Sequence, residues 1–162
     1  MTYDEILNTC ILECKKIEAS LPNKNYQRLN AERDIGDLLT YFFKAIDGPT
    51  SHEINEINNL NIIDNQVKFC SGLRFVFNNF KHNNLIIYVK RQNPAFVGQS
   101  TVGGEDVIEG GIRWAIDTHN PNLENAYVHQ MKNYNVYIKP LGIRESIDQI
   151  LKVCNGLKEK YL

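Results

Sequence analysis

The residues with the most chemical potential are Asp117 and His119, two apart in Asp117-x-His119, followed by His129. In an extended segment, residues two apart share a face. A carboxylate beside an imidazole can then do general acid–base work, or the two can share a metal ion. Arg113 falls on the same alternation as Asp117 and supplies a basic anchor, so one reading is a small hydrolase acting on phosphodiesters. The register decides whether His129 joins them. Pairing His119 with Asn125 puts both histidines on one side, and pairing it with Ala126 turns His129 away.

A second kind of chemistry is recognition. The segment from Gly98 to Gly111 holds five glycines and three acids, Glu105, Asp106 and Glu109, with Val107 and Ile108 between them. It has neither the Gly-Lys-Ser/Thr of a phosphate-binding loop nor the spaced glycines of a dinucleotide site. Its acids would repel a phosphate. One reading is a mobile hairpin connection. The other is an acidic arm with a small apolar centre that docks in a basic cleft on a protein partner.

Residues 67–101 carry Lys68, Arg74, Lys81, Lys90 and Arg91 and no acid. If Phe77 pairs with Asn84, then Lys68, Lys90 and Arg91 crowd one end of a hairpin, as phosphate contacts require. The pI of about 6.4 opposes a dedicated nucleic-acid binder. Tyr88 and Phe96 match no base-stacking motif.

The elements that must position these groups follow from periodicity. Thr2-x-x-Glu5 is a capping box, and Ile6, Leu7, Cys10, Ile11, Cys14 and Ile17 continue at helical spacing. A second helix carries Ile35, Leu38, Leu39, Phe42, Phe43 and Ile46 on one face, and Asp47-Gly48-Pro49 ends it. Thr50-x-x-Glu53 opens a short third helix. Val67, Phe69, Leu73, Phe75 and Phe77 then suggest a strand, with a turn at 78–83. Leu85–Val89 reads as a central strand covered on both faces, and Phe96-Val97 as the start of another. Ile112, Trp114 and Ile116 alternate with Arg113, Ala115 and Asp117 as a further strand, and 126–131 and 135–139 read as the last two. Ile143, Ile147, Ile150, Leu151, Cys154, Leu157 and Tyr161 form the stripe of a closing helix.

The expected fold class is therefore α+β in one domain over 1–162. Helices occupy about 2–61, a mostly antiparallel sheet of four or five strands about 66–140, and a C-terminal amphipathic helix about 143–161. The hydrophobic content of 43% and charged content of 23% are globular values. The acidic start, Met1 to Glu5, lacks the basic and apolar regions of a signal peptide, and no stretch is long and apolar enough to span a membrane. The expected location is the cytoplasm. Cys10, Cys14, Cys70 and Cys154 form no C-x-x-C pair, so they read as buried thiols, and no metal or cofactor is expected. With no nucleophile elbow, zinc-protease or kinase motif, the leading expectation is a non-enzymatic protein-binding domain. It would be an immunity- or antitoxin-type inhibitor of the kind found in bacteria, covering a toxin or enzyme that presents a basic cleft. The hydrolase and nucleic-acid readings are the alternatives.

Overall fold

Thr2 begins the fold as its spacing requires. Its hydroxyl accepts from the Glu5 N–H at 3.2 Å while Glu5 Oε2 accepts from the Thr2 N–H at 2.6 Å. The computed structural model describes residues 1–23, 25–48, 66–89, 112–116, 118 and 127–162. From that cap runs α1 (Tyr3–Ser20), with Ile6, Leu7, Cys10, Cys14 and Ile17 buried in one stripe. α2 (Arg28–Asp47) buries Ile35, Leu38, Leu39, Phe42, Phe43 and Ile46 and stops at its C-cap Gly48. The last helix, α5 (Ile143–Tyr161), buries Ile143, Ile147, Ile150, Val153, Cys154 and Leu157.

α1 packs against both α2 and α5. Polar contacts fasten the edges of these seams. Asp34, 3% exposed, accepts from the Tyr26 hydroxyl at 3.0 Å and from Lys16 at 3.1 Å. Tyr3 donates to the Ala45 carbonyl at 3.1 Å, and Lys158 donates to Asn8 at 2.6 Å.

The middle of the chain overturns the expected sheet. Residues 66–81 are not a strand but a helix, α3 (Gln66–Lys81). Its apolar residues satisfy both periods, because Phe69, Cys70, Gly72, Leu73, Phe75 and Val76 are all buried. A segment covered on most of its circumference carries no pattern that separates a strand from a helix. The turn expected at 78–83 is the end of this helix. Asn83, at φ 58°, takes the left-handed position, and Asn84 N–H reaches back to the Asn79 carbonyl at 2.9 Å. This closes the helix as a Schellman motif.

Of the strands expected at 126–131 and 135–139, the described residues, 127–131 and 135–139, do not form strands either. They contribute a short helix, α4 (Val128–Asn133), and a π-helical segment over Tyr134–Ile138. Tyr134 and Ile138 are fully buried while Val136 is 55% exposed. A strand would place all three on one face; a helical turn puts only the first and last inward. α3 accepts this turn through Gly72, where a Cβ would fall 2.8 Å from Ile138 Cγ1 and 2.9 Å from the Tyr134 nitrogen.

Two strands stand among the described residues, β1 (Ile87–Val89) and β2 (Ile112–Trp114). They pair antiparallel, with Ile87 opposite Trp114, Tyr88 opposite Arg113 and Val89 opposite Ile112. β1 is not covered on both faces, since Tyr88 is 41% exposed. Among the described residues the architecture is mostly helical with a two-stranded antiparallel sheet, which overturns the expected sheet of four or five strands. The third helix expected at Thr50 and the strand at Phe96 lie outside the described residues. Among those residues, no helix is long and apolar enough to cross a membrane.

Candidate functional site

β2 alternates by burial, with Ile112 and Trp114 inward and Arg113 half-buried between them. Trp114 fixes where this strand lies. Its indole N–H donates to the Ser146 hydroxyl at 3.2 Å, and both groups are buried. Ser146 belongs to the first turns of α5, so this bond brings Arg113 to the head of that helix. The chain arrives there from the π-helical segment through Lys139-Pro140-Leu141-Gly142, anchored by buried Ile138 and Ile143.

Arg113, Lys139, Pro140, Leu141, Gly142, Arg144 and Glu145 line an open cleft of about 480 Å3. Three segments thus contribute one cation each: Arg113 from β2, Lys139 from the turn and Arg144 from α5. The N-cap of α5 is Gly142, which offers no side-chain acceptor. The first N–H groups of the helix therefore add their positive end of the backbone dipole to the cations. Glu145 is the one acid of the lining, and its carboxylate folds back against Gly142. It sits where an incoming anion would sit. Arg113 is held along the strand by donating to the Ile112 carbonyl at 3.1 Å. Arg144 also acts on the α1 seam, where a hydrogen bond donated to Asp148 and burial raise the Glu18 carboxyl above its ordinary range and Arg144 opposes them.

Of the residues singled out from sequence, Arg113 is the one at this cleft. Asp117, His119 and the whole acidic segment with Glu105, Asp106, Val107, Ile108 and Glu109 lie outside the described residues. His129 stands on α4, exposed, and not on a strand facing Ala115. Among the described residues, no group of three or more His, Cys, Asp or Glu is placed to hold a metal ion.

The strand pairing of Phe77 with Asn84 on which the cationic hairpin end depended is also corrected, because Gln66–Lys81 is a helix. Lys68 lies over the Tyr137 ring, and Lys81 over Phe77. Arg74 stacks 4.1 Å from the Phe43 ring centre and makes a bidentate pair with Asp47 at 2.7 and 2.5 Å. Lys90 and Arg91 lie outside the described residues. A smaller cleft of about 200 Å3 opens beside Arg74, between α2, α3 and α4, with Phe43, Ile46 and Val67 on its walls.

Sequence reasoning passed over Lys139, Arg144 and Glu145. Their signal was present, as two cations flank a Pro-Leu-Gly turn that opens an amphipathic helix. Comparison of the chain with family models, curated proteins and solved structures found no match.

Proposed function

We propose that this chain is a binding domain that recognises an anionic group, phosphate or carboxylate, in the cleft at the head of α5. The observation that carries this reading is the convergence of Arg113, Lys139 and Arg144 on one cleft above an uncapped helix start. The chain as a whole is slightly acidic, at −1, so the positive field is local. Two arginines can each offer a planar pair of donors to an oxyanion, and Lys139 adds a point charge. The cations, backbone N–H groups and single carboxylate of this lining suit holding and orienting an anion.

The test is titration of the ¹⁵N-labelled protein with inorganic phosphate and with citrate at low salt. The expected result is saturable shifts at Gly142, Ile143 and Arg144 that weaken as salt screens the site. Arg113→Ala with Lys139→Ala should weaken binding at least tenfold without loss of fold. Glu145→Ala should strengthen it, by removing the internal carboxylate. Shifts spread evenly over all surface lysines would dispose of a specific site.

A second reading rests on the sequence of 98–111, whose Glu105, Asp106 and Glu109 surround Val107 and Ile108. It makes the chain an inhibitor that inserts this acidic segment into a basic cleft of a protein partner. Glu105→Lys with Glu109→Lys would then abolish capture of that partner while the melting temperature stays unchanged. Undiminished capture would remove the segment from the interface.

A further inference from the structure

We infer that Cys10 and Cys154 form an oxidisable dithiol, a modification site at which two-electron oxidation joins the first helix to the last. Both thiols are completely buried, and the Cys154 S–H donates to Cys10 Sγ at 3.2 Å. Cys14, also fully buried, lies one turn along α1 from Cys10. A disulfide needs the sulfurs about 2.05 Å apart. The sulfurs therefore lie roughly 1 Å beyond bonding distance, on two helices that already pack together. The two residues are 144 apart in the chain, so the bond would close a long loop.

The chemistry balances with a peroxide as oxidant. One thiol, after losing its proton, attacks a peroxide oxygen. The O–O bond breaks, a sulfenic acid forms, and the displaced oxygen leaves as water. The second sulfur then attacks the sulfenic sulfur, the S–O bond breaks, and a second water departs. Two thiols and one hydrogen peroxide become one disulfide and two waters, the two electrons passing from sulfur to oxygen. The neighbouring thiols Cys14 and Cys154, together with burial, push Cys10 well above the usual thiol range, and with both sulfurs fully buried the pair does not meet an oxidant in place. The reaction proceeds through local openings that part α5 from α1. Once formed, the bond removes conformational freedom from the unfolded chain.

The experiment treats the full-length wild-type protein with dilute hydrogen peroxide, with and without sub-denaturing urea, followed by intact mass and non-reducing peptide mapping. The expected product is lighter by two hydrogens and carries a peptide crosslink between Cys10 and Cys154. Urea speeds its formation. The oxidised form melts higher by an amount on the order of 10 °C, and dithiothreitol reverses the gain. Cys70→Ala leaves the crosslink intact. Oxygen adducts in place of a crosslink, or a Cys10–Cys14 link instead, would overturn the assignment. The mapping is done on the wild type, so it does not depend on a core-cysteine variant folding.

Discussion

Between α1, α2 and α5 the interior is mostly apolar side chain against apolar side chain, joined by the buried Tyr26–Asp34 and Cys154–Cys10 hydrogen bonds, with Lys158–Asn8 at the edge of a seam. Around α3, the hairpin and the π-helical segment the interior is different. Backbone meets backbone through Gly72, a Trp–Ser hydrogen bond is buried, and half-buried arginines face the cleft. The first region is periodic, and burial of its stripes accounts for its stability. The second interrupts its periods with three-residue strands and a π-helical turn, and that turn delivers Lys139 to the cleft at the head of α5. Stability and recognition are thus lodged on different sides of one molecule, and each can be damaged with limited effect on the other.

The largest expected effect lies on the periodic side. Phe42→Ala should lower the unfolding free energy by about 3–5 kcal/mol through the cavity it leaves, measured by urea denaturation. The folded fraction should bind phosphate as tightly as before. Weakened binding there would show that the two sides are not separable.

Gly72→Ala comes next. Its methyl would strike the Tyr134 backbone, so the π-helical segment must shift, at about 2–3 kcal/mol. Because Lys139 follows that segment directly, phosphate affinity should fall as well. Here the expected outcome joins the two measurements that Phe42→Ala keeps apart.

Trp114→Phe retains a buried ring but leaves the Ser146 hydroxyl without its donor. The expected loss is about 1–2 kcal/mol, with several-fold weaker phosphate binding because Arg113 loses its register against α5. A loss of stability with unchanged affinity would mean that the hydrogen bond does not position the site.

The smallest effect tests the α1–α5 seam within the first region. The Glu18 carboxyl is raised by its hydrogen bond with Asp148, so the folded state holds its proton more tightly than the unfolded state does. Stability therefore falls as pH rises from the ordinary glutamate value of 4.5 through the folded value. Asp148→Asn should flatten that slope. It should raise stability at pH 7 by a few tenths of a kcal/mol at most, roughly, since both groups are solvent-screened, and should change little near pH 4. Thermal melts across this range check the sign.

How much of this was legible differs between the same two regions. The cap at Thr2, the stripes of α1 and α2, the stop at Gly48 and the closing helix could all be read, because each is amphipathic and one period fits it. The pairing segments of the hairpin were also recognised, from Ile87 and from the alternation of Ile112 and Trp114. α3 was misread because burial on most of its circumference removes the contrast on which periodicity depends. The π-helical segment was misread because Tyr134, Val136 and Ile138 alternate like a strand, although Val136 is in fact exposed. Of the cleft, Arg113 was picked out, but as a partner for Asp117 and not for Lys139 and Arg144.

By itself the sequence determined the local structure wherever a residue's own neighbours along the chain suffice: caps, turn residues and single-faced helices. The tertiary structure alone decided that 66–81 is a helix, that Gly72 admits a turn at van der Waals range, and that Arg113, Lys139 and Arg144 share one cleft. The physical reason is that these outcomes depend on which surfaces meet. A buried hydrogen bond such as Trp114–Ser146 joins residues 32 apart, and the local pattern around either of them does not specify the other.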